Sequence, residues 1–98
     1  MSSGPSGSGV SGLATLDGSV AWNPGEIADG DEEVQAVTVT GAALGDFVLV
    51  SFSLDVIDLA ITGAVTAANT VTAQLNNNTG GALDLGAGTV YARVFKRA

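Results

Sequence analysis

The densest group of residues able to do chemistry is an acidic run, Asp29, Asp31, Glu32 and Glu33, gathered around Gly30. Carboxylates this close together suit two tasks, holding a divalent cation or sharing acid and base roles. Calcium takes about six to eight oxygens, and the loop that usually supplies them alternates acids, places Gly and Glu at set positions and sits between two helices. The run has neither that register nor helical flanks. Paired carboxylates also hydrolyse glycosides, but such a site needs a cleft with aromatic platforms, and the chain has one Trp and one Tyr. The run therefore reads as a solvated loop, and no metal ligand is assigned.

Other chemistries fail for want of material. There is no Cys and no His, and the only bases are Arg93, Lys96 and Arg97. Nucleophiles, acid–base groups and metal ligands come mostly from the missing types. No serine lies in a nucleophile elbow, and without His no conventional triad forms. The glycine strings at 4–9 (GPSGSG) and 81–88 (GALDLGAG) lack the strand, helix and Lys context that cradles phosphate. The expectation is a non-enzyme with no catalytic residue and no cofactor.

The elements that would carry any site are strands. Val71, Ala73 and Leu75 alternate with Thr70, Thr72, Gln74 and Asn76, and Val90, Ala92 and Val94 alternate with Thr89, Tyr91, Arg93 and Phe95. A period of two with one apolar face is the pattern of antiparallel strands wet on one side. In 46–54 (DFVLVSFSL), Val48, Val50, Phe52 and Leu54 share one side and Phe47, Leu49, Ser51 and Ser53 the other. This reads as a strand buried fully on one side and half on the other, which predicts a central position. Further strands are read at 19–22, 34–40 and 58–65. Asn23-Pro24-Gly25, the 41–46 stretch (GAALGD), a tight hairpin in 65–70 (VTAANT) and the 76–81 loop (NNNTGG) separate them. A helix over 55–68 is the alternative there, weakened by Thr62, Gly63 and Thr66. About six to eight evenly spaced short strands predict an all-β domain over residues 13–98. Residues 1–12 (MSSGPSGSGVSG) are Ser, Gly and Pro almost throughout and read as a flexible arm.

Charge narrows the partners. The chain of 98 residues has net charge −7, with six of its ten acids between Asp17 and Glu33 and all three bases at the C-terminal end. An acidic surface repels phosphate backbones, so neither nucleic acid nor an anionic membrane is an expected partner. No apolar stretch reaches the roughly 18 residues of a membrane span, and residues 1–9 do not resemble a signal peptide. Asn77-Asn78-Thr79 matches a glycosylation acceptor but lacks a secretory context. Absence of Cys suits a reducing compartment.

Size and composition point to self-association. Fifteen residues are Ala and only five are aromatic, so each buried position contributes little area. Ordering such a chain costs on the order of 100 kcal/mol of conformational entropy, whereas a large buried aliphatic returns roughly 1.5–3 kcal/mol. A closed oligomer is the usual way to bury more. The candidate interface residues are Trp22, a large aromatic at a strand end that fits either the core or an interface, Asn23 and Glu26 in the loop after it, Asn77 and Asn78 in the Asn-rich loop, and Arg93.

Several segments together resemble a known group: 37–53 (VTVTGAALGDFVLVSFS), 67–75 (AANTVTAQL), 78–85 (NTGGALDL) and 88–94 (GTVYARV), with Trp22-Asn23-Pro24 ahead of the acidic run. The likeness is to small virion proteins of tailed bacteriophages, which include capsid decoration (cement) proteins and modules of head or tail fibres. It implies an antiparallel β-sandwich, often of jelly-roll type, forming a homotrimer on the capsid surface of the virion. There it would bridge neighbouring major capsid proteins against the pressure of packaged DNA, without chemistry. The absence of a stalk-forming segment favours the capsid surface over a fibre. The alternative is a receptor- or glycan-binding tip of a head or tail fibre. Loops 23–33 and 76–81, and the arm, are the candidate contacts with the shell.

Overall fold

The computed structural model describes residues 14–97; the arm assigned to 1–12 lies outside them. The order of elements is β1 (Thr15–Trp22), β2 (Glu26–Ile27), β3 (Glu32–Thr38), β4 (Phe47–Phe52), β5 (Ala60–Ala67), β6 (Thr70–Asn76), β7 (Leu83–Asp84) and β8 (Gly88–Phe95). All pairing is antiparallel. Sheet I has the order β1-β8-β4, sheet II the order β3-β6-β5, and β2 and β7 form a small ribbon between them in the chain. No helix occurs among the described residues, so 55–59 is a turn leading into β5 and the helical alternative is excluded. The fold is the expected all-β, antiparallel sandwich.

The connectivity is nested. β1 pairs with β8, β2 with β7 and β3 with β6, as in a ribbon folded back on itself and then rolled. A jelly roll is built on such a ribbon. The innermost members, β4 and β5, do not hydrogen bond to each other; β4 joins β8 and β5 joins β6. The sandwich therefore has two three-stranded sheets in place of two four-stranded ones.

The core follows the period of two. Val71, Ala73 and Leu75 of β6 meet Val90, Ala92 and Val94 of β8 across the sandwich, joined by Trp22, Ile27, Val37, Val39, Leu59 and Val65. The two strands with the cleanest alternation are thus the central ones. The expectation of a central strand at 46–54 is corrected, because β4 is an edge strand of sheet I. Val48, Val50 and Phe52 pack inward, while Phe47 and Leu49 stand in solvent. Period alone reports which residues share a side and says nothing of what covers each side.

Small residues let the sheets close. A Cβ on Gly18 of β1 would collide with the carbonyl oxygen of Thr38 and with Val39, and one on Gly63 of β5 would lie 2.5 Å from Val50 Cγ1. Both glycines sit mid-strand, where Gly is otherwise unfavourable. One admits the end of β3 against β1, and the other admits β4 against β5.

Candidate functional site

Both ends of the sandwich are tied by side chains whose polar atoms are committed internally. At one end, Asn77 is 0 % exposed. Its Nδ2 donates to the carbonyls of Ile27 (2.7 Å) and Gly81 (2.9 Å), and its Oδ1 accepts from the N–H (3.0 Å) and hydroxyl (2.7 Å) of Thr79. That uses both donors and both acceptor sites of the amide. Its backbone N–H donates to Asp31 O (3.0 Å), and its carbonyl accepts from Gly30 N–H (2.6 Å). Asp29 Oδ1 accepts from Gly80 N–H at 3.0 Å. The acidic loop and the Asn-rich loop, some fifty positions apart in the chain, form one unit.

At the other end, Asp46 holds the chain beyond β8. Its Oδ2 accepts from Lys96 Nζ at 2.6 Å and from Ala43 N–H at 3.0 Å, and its Oδ1 accepts from Arg97 N–H at 3.0 Å. The bond from Lys96, then the backbone N–H of Arg97, lower the carboxyl to about 2 from the ordinary value of 3.8. Lys96 Nζ also donates to Gly41 O (2.9 Å). Gly41 N–H donates to Asn69 Oδ1 at 2.8 Å, and Asn69 N–H donates to Ala42 O at 2.9 Å. The β5–β6 hairpin, the 39–46 connection and the C-terminal end of β8 are thus joined.

The residues expected at an interface separate into three places. Trp22 is core: it is 6 % exposed and its ring meets Phe52 edge-on, centroids 5.8 Å apart at 74°. Asn77 is equally inaccessible, which corrects its place as a surface candidate and also rules out a glycan on it in the folded chain. For Trp22 the packing decides between the two readings the sequence leaves open, whereas the polar stretch around Asn77 gives no local sign that tertiary packing covers it. Asn23, Glu26 and Asn78 are exposed. Asn23 Oδ1 accepts from Gly25 N–H (3.2 Å), and Glu26 lies opposite Asp84 in the β2–β7 ribbon. Arg93 lies elsewhere, on the outward face of sheet I, where its Nε donates to Asp17 Oδ1 at 2.6 Å in an exposed ion pair. That hydrogen bond, with the charge of Asp17, raises the guanidinium further above its ordinary value.

The outward face of sheet I is the feature that sequence reading passed over. Its cross-strand rows are Thr15–Phe95–Phe47, Asp17–Arg93–Leu49 and Ser19–Tyr91–Ser51. Phe47, Leu49 and Tyr91 are 63 %, 64 % and 47 % exposed. The lower two rows surround a shallow depression floored by Gly18, Val50 and Ala92. A signal was present in the sequence, since 46–54 is apolar on one side and half apolar on the other, but it was assigned to burial within the sheet. Among the described residues no group of three or more acids gathers as metal ligands would. The chain matches no family model, no curated protein and no solved structure.

Proposed function

We propose that this chain is a structural protein of a tailed-bacteriophage virion that decorates the capsid shell as a homotrimer and bridges major capsid proteins. The observation that carries this reading is the tying of both ends of the sandwich, by Asn77 at one and by Asp46, Lys96 and Asn69 at the other. Buried and half-buried polar groups are spent on holding loops to sheets, which suits a part loaded mechanically. A brace must keep its loops in place when the surface it spans is pushed outward, and a fully bonded buried amide is costly to break.

The sandwich fold, the acidic surface and the resemblance of the 37–53, 67–75 and 88–94 segments to phage virion proteins add support. In this reading each copy makes a modest contact with the shell through the exposed loops that carry Asn23, Glu26 and Asn78. Three contacts made together hold far more firmly than one, because the second and third form at high effective concentration. No nucleic acid, membrane or cofactor is part of the proposal.

The test is to compare virions with and without the protein for DNA release on heating and osmotic shock. Particles lacking it should rupture at lower temperature, and adding the protein back should restore them. Equal stability of the two, or binding of labelled protein to host cells and not to shells, would overturn the proposal; the latter would favour a fibre tip.

A further inference from the structure

The two outward faces of the sandwich differ in kind. Sheet II presents mainly Thr and Ala, with Gln74 reaching Glu32 Oε2 at 2.6 Å. Sheet I presents Phe47, Leu49 and Tyr91 in three consecutive rows. Contiguous large apolar residues in solvent mark interaction surfaces more often than scattered single ones do. Among the described residues β4 also has a strand partner on one side only, and Phe47–Phe52 carries none of the Lys, Pro or acidic residues that usually blunt an edge.

Charge indicates what covers this face. All three bases belong to it or to its rim, Arg93 on β8 and Lys96 and Arg97 just beyond that strand, while only Asp17 and Asp46 of the ten acids stand with them. This region therefore sums to +3 − 2 = +1, and the other eight acids, elsewhere on the chain, bring the total to the net −7. In a chain so acidic, two copies repel through most orientations. Among the described residues this apolar region, with its bases, can meet an acid-bearing surface of a like molecule without that penalty.

We propose that the outward face of β1-β8-β4 is covered by a neighbouring copy of this chain, which places an acid-bearing surface against the Arg93, Lys96 and Arg97 rim. Such a contact is head-to-tail, the kind that builds a ring when the rotation between copies closes. Its restriction to three copies rests on the function proposed above; the face itself does not. Three strands about 4.8 Å apart and eight residues of about 3.3 Å each span roughly 14 by 26 Å. That is below the usual share of about 800 Å² per partner and in the size class of weak, transient contacts, so the assembly should dissociate on dilution.

The experiment is sedimentation velocity of the full chain, from low to hundreds of micromolar, without shells. The wild type should sediment above protomer mass. Phe47→Thr with Leu49→Thr, both polar and strand-compatible at exposed positions, should raise the dissociation constant by about tenfold or more with circular dichroism unchanged. Val34→Thr, an apolar-to-polar change at an exposed position of sheet II, should not. Should the double variant lose its fold, Arg93→Glu reads the same face with its apolar residues kept, and should also weaken assembly. A wild type at protomer mass throughout, or folded variants that assemble as the wild type does, would overturn the proposal. A dimer dispersed by the double variant would support the face and count against the threefold assembly instead.

Discussion

Gly63 of β5 lies directly beneath Val50 of β4, so close that the missing Cβ would sit 2.5 Å from Val50 Cγ1 and 3.2 Å from its Cγ2. The two strands are innermost in the folded ribbon, yet they meet face to face and share no ladder. Without hydrogen bonds between them, the closeness of β4 to β5 depends on side-chain volume alone.

Gly63→Ala should therefore overpack this seam and destabilise the fold by about 1–3 kcal/mol, lowering the thermal midpoint by roughly 4–8 °C for each kcal/mol. Val50→Ala added to it should recover part of the loss, a coupling that a double-mutant cycle reads directly. Gly18→Ala should cost more, and no single partner change should rescue it. There the obstacle is the backbone carbonyl of Thr38, which cannot be trimmed. Equal midpoints for wild type and Gly63→Ala would refute the account of the seam.

Asn77 should be among the least replaceable polar residues. Asn77→Ala leaves the buried carbonyl of Ile27 without its donor, at about 1–3 kcal/mol, and unties Thr79, whereas Gly81 O keeps the Thr79 hydroxyl as a donor. Asn77→Asp keeps the shape but turns a carboxylate toward two carbonyls. Its deficit in denaturant unfolding should be largest near neutral pH and shrink on acidification, as the protonated acid recovers one donor. A pH-independent deficit would show that the amide protons are not what matters.

Acid should loosen the opposite end. Asp46 titrates at about 2 in the fold against about 3.9 in an unfolded chain. A depressed carboxyl contributes stability that is complete above the unfolded value and fades as pH falls through 4 to 2. The wild type should lose more stability over that window than Asp46→Asn, which should already be weaker at neutral pH. Parallel pH profiles for the two would contradict the role given to Lys96 and Arg97.

Among the described residues, two other than glycine have positive φ, Ile57 at 57° and Asn69 at 63°. Asn tolerates this conformation and here uses its side chain to bind Gly41 N–H. A β-branched residue does not tolerate it well, and Ile57 is half-exposed with its N–H held by Asp55 Oδ1 at 2.8 Å. Ile57→Asn should raise the unfolding free energy by about 1 kcal/mol or more, whereas Asn69→Ala should lower it by a similar amount. A loss of stability in Ile57→Asn would mean that the isoleucine side chain makes up for its strain.

The amino-acid order by itself determined the class of this protein. Alternation in 70–76 and 89–96 specified strands and the residues they bury, and Asn23-Pro24-Gly25, 41–46 and 76–81 marked where strands stop, because these are properties of a few neighbouring residues and of backbone sterics. By leaving out His and Cys it also left no material for a Ser-His or Cys-His nucleophile pair. Only the tertiary structure decided which strands are central, so that 46–54, apolar on one side and half apolar on the other, became an edge with Phe47 and Leu49 in solvent. The same holds for Asn77, whose polar, turn-rich neighbourhood suggests surface until distant segments enclose it, and for Trp22, for which core and interface were both open until packing against Phe52 put it in the core. The two-residue strands β2 and β7 escaped notice because so short a segment has no period, and pairing across more than fifty positions is what makes it a strand. Burial is a relation between parts of the chain far apart in order, and local pattern does not contain it.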